Sequence, residues 1–304
     1  DGVGSNERFV NITCVKEYEK PNLYMAVIAV SDYQDSTMNL NFAVKDGRDF
    51  AQVYIDEMGK KQIGFPSRFG KIYLDTFFND GAVRTNIEKW RNKLLKSKPD
   101  DYVVLYVAGH GLLDDSLHFW FATHDINFSK PEEKGMSFDN LEDLLVAIPA
   151  QQKLFLMDAC HSGEVITDEI TIDSSFVLPD GSRGSLKGYT YRGVVVEDVD
   201  GETINKGELK QELFSNYDSK SGATVISAAA GNSLALESEE WNNGIFTYTI
   251  LGGLLKRWAD ANNDGEVSVV ELSRYVTKQV KEQTSGMQIP NDRQENIENN
   301  FRVW

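Results

Sequence analysis

The chain has 304 residues, is 41% hydrophobic and carries a formal net charge of −16, with 47 acidic residues against 31 basic ones. This much apolar content can bury a large core, while the acid excess argues against a phosphate-backbone partner, because nucleic-acid binders concentrate Lys and Arg. A cationic partner or substrate suits it better. No run of about 18 apolar residues is present, so no membrane span and no membrane partner are expected. The chain opens on Asp1 without a visible signal peptide and reads as a piece of a longer protein whose upstream targeting is not seen. Its only cysteines are Cys14 and Cys160. A disulfide between them would silence a catalytic Cys160, so a reducing, cytoplasmic setting is expected.

Residues 1–21 show weak periodicity and read as an N-terminal extension or linker, ahead of one domain over 22–304. Tyr24 to Val30 is a continuous apolar run, as expected of a strand buried on both faces. Phe50, Tyr54 and Met58 recur at spacing four and predict a helix; Lys71 to Leu74 is the second strand. Val83, Ile87, Trp90 and Leu94 mark the cleanest amphipathic helix. Tyr102 to Val107 is the third strand, and Leu141, Leu144, Leu145 and Ile148 form a helix that Pro149 ends. Leu154 to Met157 is the fourth strand.

This alternation predicts an α/β fold with a mostly parallel central sheet flanked by helices on both faces. The stretch of about 165–220 interrupts it, being rich in Asp, Glu, Gly and Ser, with a turn at Pro179-Asp-Gly181 and a candidate hairpin over Gly193 to Val199. A fifth strand, Thr224 to Ala228, and two helices, Ile245 to Trp258 and Ser268 to Glu282, complete the pattern.

Two strand ends carry the chemistry. Val107-Ala-Gly-His110-Gly111 closes the third strand and Asp158-Ala-Cys160-His-Ser-Gly163 closes the fourth, the edge at which open α/β sheets assemble their sites. A thiol attacks an amide carbonyl only as its thiolate, so a cysteine nucleophile needs an imidazole to take its proton. His110 and Cys160 supply such a pair. A cysteine at a strand end is often no more than a small buried hydrophobe, but two matched segments at one edge favour the dyad. His161 adjoins the cysteine on an extended segment and points the other way. His118 and His124 lie around Phe119-Trp-Phe121, which reads as a packed strand.

With strand-His-Gly followed by strand-Asp-Ala-Cys-His-Ser-Gly, the chain resembles the caspase and metacaspase superfamily, and most closely bacterial caspase-like domains. His110 and Cys160 stand fifty residues apart, the interval typical of caspases. The resemblance covers roughly residues 22–304 and includes Asn41-Phe-Ala-Val-Lys-Asp46-Gly in the first helix, Gly244-Ile-Phe-Thr in the fifth-strand region, and Arg293-Gln-Glu-Asn-Ile-Glu-Asn near the end. It implies a cysteine endopeptidase without a third catalytic side chain, with backbone N–H groups of Gly111 and Cys160 forming the oxyanion hole. Glycine after the histidine lets the backbone approach the substrate carbonyl.

The resemblance also bears on specificity. Asp46 and Asp158 match the acidic positions with which metacaspases bind Arg or Lys before the cleaved bond, and paired carboxylates suit a desolvated guanidinium. Ala108 departs from the pattern, since metacaspases usually carry Ser there. Asp158 as a strand-end cap and Asp46 as a first-turn helix charge are the plain structural alternatives. An Asp-specific protease would need Arg48 or Arg84 in the pocket, and a catalytically silent signalling scaffold is a further alternative. Arg183, Lys187, Arg192, Lys206, Lys210 and Lys220 make the 165–220 stretch a candidate for self-processing.

Asp260, Asn262, Asp264, Glu266, Ser268 and Glu271 occupy a twelve-residue pattern with Gly265 at position six, as in an EF-hand, between two expected helices. The loop is a candidate calcium site; EF-hands usually pair and only one is present, so a structural turn is the competing reading. Asp114, Asp115 and Asp125 are acidic positions elsewhere through which calcium could act. The expected chemistry needs no cofactor. The expected partner is a peptide or protein substrate, and the expected oligomeric state is a monomer.

Overall fold

The computed structural model describes residues 19–60, 68–114, 118–159, 221–229, 235–293 and 300–304, together with short strands between 163 and 195. The first strand, β1 (Leu23–Ala29), is buried along its whole length. It is followed by α1 (Ala43–Lys60), β2 (Ile72–Phe78), the short helices α2 (Arg84–Ile87) and α3 (Arg91–Leu94), and β3 (Tyr102–Ala108). A small antiparallel sheet of β4 (Gly111–Leu113), β5 (Phe119–Phe121) and β6 (Met136–Ser137) leads into α4 (Phe138–Asp143) and β7 (Gln152–Asp158).

Next come short strands β8 (Gly163–Glu164), β9 (Ser175–Val177), β10 (Arg183–Ser185), β11 (Tyr189–Tyr191) and β12 (Val194–Val195). The chain ends with β13 (Thr224–Ser227), β14 (Leu236–Ser238), β15 (Asn243–Gly244), α5 (Ile245–Leu255), α6 (Val269–Gln283) and β16 (Asn291–Arg293).

The central sheet has six strands in the order β16-β13-β7-β3-β1-β2, parallel except for β16. The α/β architecture expected from the alternating pattern is therefore present. Because successive side chains in a strand point to opposite faces, the sheet divides its neighbours cleanly. Phe50 of α1 stacks on Tyr106 of β3 at 4.7 Å, and Thr247 of α5 bonds the same tyrosine, so α1 and α5 cover one face. Phe138 of α4 stacks on Phe155 of β7 at 5.9 Å on the other. Arg91 donates to the carbonyls of Asp143, Leu144 and Val146, fastening α3 to the end of α4.

Several boundaries differ from the sequence reading. The amphipathic stretch through Val83 and Leu94 is two short helices joined by a 3-10 turn, still burying Ile87, Trp90 and Leu94. Val194–Val195 pairs in parallel with Gly163–Glu164, whereas a hairpin was expected over 193–199. Gly244-Ile-Phe-Thr does not belong to the fifth-strand region; it forms the end of β15 and the first turn of α5. β16 has no apolar residue to signal it, and it holds the sheet edge through Arg293, which pairs with Glu142 and lies 5.2 Å over the Phe138 ring.

Candidate active site

The parallel register sets the site's frame. Ala29, Ala108 and Asp158 stand side by side at the C-terminal ends of β1, β3 and β7. Just beyond β3 the chain passes through Gly109, whose φ of +155° and crowding both favour glycine: a Cβ there would lie 2.9 Å from the Tyr33 hydroxyl. His110 follows and is buried, 5% exposed. Its N–H donates to Tyr33 Oη at 2.9 Å, and its ring packs against Tyr33 and Phe128 with centroids 5.2 and 6.2 Å away.

His110 Nε2 lies 2.8 Å from the carbonyl oxygen of Met38. A carbonyl only accepts, so Nε2 carries the hydrogen of the neutral ring, and Nδ1 is left as the nitrogen with a lone pair for proton exchange. Met38 ends a 3-10 turn over Ser36–Met38, capped by the Asp35 side chain accepting from Thr37 N at 3.1 Å. This main-chain partner has no residue-type signature and was not legible in the sequence. Gly111 opens β4 opposite Phe121.

The two acidic candidates converge on one short segment. Asp46 lies in the first turn of α1 and is fully buried. It accepts from Asn243 Nδ2 at 2.7 Å and from Gly244 N at 3.1–3.2 Å, the residue that caps α5. The same Asn243 amide reaches Asp49 at 2.9 Å. Asp158, 1% exposed, accepts from Thr247 Oγ1 at 2.6 Å. Negative charge beside the first turn of a helix is favoured by its dipole. Thus Asn243–Thr247 touches both carboxylates, from positions 197 and 89 residues away in the chain.

Cys160 and His161 lie outside the described residues, as do Asp115 and residues 1–18 of the expected extension, which include Cys14. Ala108, where the resemblance leads one to expect Ser, is buried in β3. The arginines that an Asp-specific pocket would need are engaged elsewhere: Arg84 Nε pairs with Glu88 at 2.8 Å, and Arg48 lies over the Phe78 ring at 5.6 Å. His118 is bonded to Asp114, which also accepts from Trp120 Nε1 at 2.9 Å, and His124 Nδ1 bonds the Asp32 carbonyl at 2.6 Å. Asp125 accepts from Thr123 and lies 3.3 Å from Lys134 Nζ.

In the acidic loop between α5 and α6 the oxygen-bearing side chains serve backbone groups. Asp260 accepts from Asp264 N and Gly265 N, Asn262 from Asp264 N, and Asp264 from Glu266 N. Glu266 pairs with Arg302. Ser268 caps α6 and forms a capping box with Glu271, whose carboxylate also accepts from Ala261 N and Asn262 N. Partial burial pushes the Glu271 carboxyl upward, and the bonds from Ser268, Asn262 and Ala261 outweigh it, leaving it below the ordinary glutamate range. Among the described residues, no group of three or more His, Cys, Asp or Glu is arranged to hold a metal ion.

A mostly parallel sheet brings a buried histidine and a strand-end aspartate to one edge of an α/β protein. Comparison with known proteins gives the family: the caspase domain matches residues 24–302, and the chain belongs to this family of cysteine peptidases. No curated protein matches the chain. Among solved structures it is similar to a protein of Geobacter sulfurreducens, with a TM-score of 0.55 and 16% identity over 90% of this chain and 93% of that one, a likeness of fold. No described helix is long and apolar enough to cross a membrane.

Proposed function

We propose that the protein is an endopeptidase cleaving after Arg or Lys, with Cys160 as nucleophile and His110 as general acid and base. His110 Nδ1 takes the thiol proton, and the thiolate adds to the substrate carbonyl carbon. Backbone N–H groups of Gly111 and Cys160 stabilise the resulting oxyanion. Collapse breaks the C–N bond, and the leaving amine takes the proton from His110. Water then attacks the thioester, giving its proton to His110 and releasing the acid and the free thiol. The chemistry uses no cofactor.

The observation that carries the specificity is the convergence of Asp46 and Asp158 on the Asn243–Thr247 segment, next to the strand end that leads to Cys160. Two carboxylates held in fixed orientations suit a planar guanidinium or an ammonium. The engagement of Arg48 and Arg84 elsewhere weighs against an Asp-binding pocket. The same preference would allow self-processing in the 165–220 stretch, at residues such as Arg183, Lys187 or Arg192.

The test compares fluorogenic peptides bearing Arg, Lys or Asp before the cleaved bond, using wild type and Cys160→Ala. Turnover of the basic peptides by wild type alone is expected, together with fragments of wild type but not of Cys160→Ala on storage. No turnover of any peptide, with no labelling of Cys160 by a peptidyl electrophile, would leave a silent scaffold; cleavage of the Asp peptide would reverse the specificity.

A further inference from the structure

The Asp158 carboxylate does not stand alone on its strand. Thr247 Oγ1 donates to Asp158 Oδ2 at 2.6 Å, and the Tyr106 hydroxyl lies 2.6 Å from the same Oγ1. A threonine hydroxyl has one proton. With that proton given to Asp158, the Tyr106 hydroxyl must be the donor in the second contact, so the chain runs in one direction: Tyr106 to Thr247 to Asp158. Tyr106 and Thr247 are fully buried. The tyrosine ring is itself fixed by Phe50, which follows Asp46 by one turn on α1.

A threonine near a helix start commonly turns its hydroxyl back to local backbone. Thr247 instead spends it across the sheet edge on a residue 89 positions away. At the start of α5, the Gly244 N–H is taken by Asp46 and not by Thr247.

We propose that Thr247, oriented by Tyr106, is a positioning residue for substrate specificity: it fixes the Asp158 carboxylate in the orientation that receives the basic side chain before the cleaved bond. The inference rests on the basic specificity proposed above. It makes the Asn243–Thr247 segment, the end of β15 and the start of α5, a clamp with two jaws, Asn243 holding Asp46 and Thr247 holding Asp158. Only substrate binding through the basic side chain depends on it; the reactivity of Cys160 toward a small electrophile does not.

The experiment measures two quantities on Thr247→Val, Thr247→Ser, Tyr106→Phe and Asp158→Asn: kcat and KM on Arg and Lys peptides, and the rate of Cys160 alkylation by iodoacetamide, which presents no basic side chain. Thr247→Val keeps the shape and removes the hydroxyl. It should lower kcat/KM on basic peptides about tenfold, mostly through KM, as expected for a lost hydrogen bond to a charged group. Its alkylation rate should stay within about twofold of wild type, the scatter of a substitution that leaves the reacting groups untouched. Thr247→Ser should restore most of the loss, and Tyr106→Phe should show a smaller effect of the same kind.

A parallel fall of peptide turnover and alkylation in Thr247→Val, without rescue by serine, would mean a structural role and overturn the proposal. So would unchanged kinetics in Thr247→Val when Asp158→Asn is silenced. If Asp158→Asn itself cleaves basic peptides like wild type, the basic-specificity reading falls first and takes the clamp with it, an outcome distinguishable from the other two.

Discussion

Two acidic regions of this protein are built in opposite ways. Asp46 and Asp158 are buried and accept hydrogen bonds from Asn243, Gly244 and Thr247, far away in the chain. The Asp260–Glu271 loop is exposed at 261–264, its other acidic positions are half-buried, and its internal bonds span no more than ten residues. Burying a carboxylate is costly unless its oxygens are satisfied, so long-range donors gathered around buried acids mark a place where the fold has been made to serve charge. Local donors around exposed or half-buried acids stabilise a turn and a helix start. The same residue types thus carry different meanings according to where their partners come from.

The comparison breaks most easily on activity. Asp158→Asn and Asp46→Asn should each lower kcat/KM on Arg and Lys peptides by about a hundredfold or more, in line with removing one partner of a buried ion pair. Glu271→Gln should leave turnover within about twofold, as surface changes away from a site generally do. Equal damage from both sets of variants would erase the distinction between the regions.

Stability sharpens it next. Asp46→Ala leaves the buried Gly244 N–H and Asn243 amide without this acceptor and should cost about 1–3 kcal/mol in urea unfolding. Glu271→Ala removes half of a capping box and should cost about 1 kcal/mol in calcium-free buffer. A melting temperature of wild type that rises with added calcium, and a Glu271→Gln variant that does not respond, would give the loop an ion-binding role in addition to its capping one.

The smallest effect concerns pH. The Glu271 carboxyl is held below the ordinary glutamate range in the folded protein. Its contribution to stability is therefore fully present above the unfolded value and is lost as pH falls through the depressed folded one. Unfolding curves of wild type and Glu271→Gln should converge as pH drops into that acidic window and separate above it; a constant gap would show that the charge is not what the cap uses.

How much of this was legible in the sequence follows from the same contrast. The strands β1, β3 and β7 announce themselves because burial on both faces demands continuous apolar runs. His110 was singled out because a cysteine nucleophile needs an imidazole near it, and Asp46 and Asp158 because the resemblance matched them to acidic positions. Met38 was not, since its carbonyl acts and any residue supplies one. Thr247 lay within a motif quoted for its resemblance, but its partner is 89 residues away and no local pattern encodes it. β16 was missed because an edge strand of Asn, Asp and Arg has no periodic apolar face. Gly244-Ile-Phe-Thr was misplaced because its apolar pair reads equally as a strand or a helix start.

The contact between His110 Nε2 and the Met38 carbonyl has an evolutionary consequence. Where a histidine is oriented by an aspartate, one codon change can disable it. Here the orienting group belongs to the polypeptide itself, so the side chain at position 38 is free to drift provided that the turn's shape is kept. Heritable loss of the His110 alignment would have to come through insertions, deletions or proline in the Ser36–Met38 turn, and a survey of natural variation should find that turn conserved in length while its side chains vary.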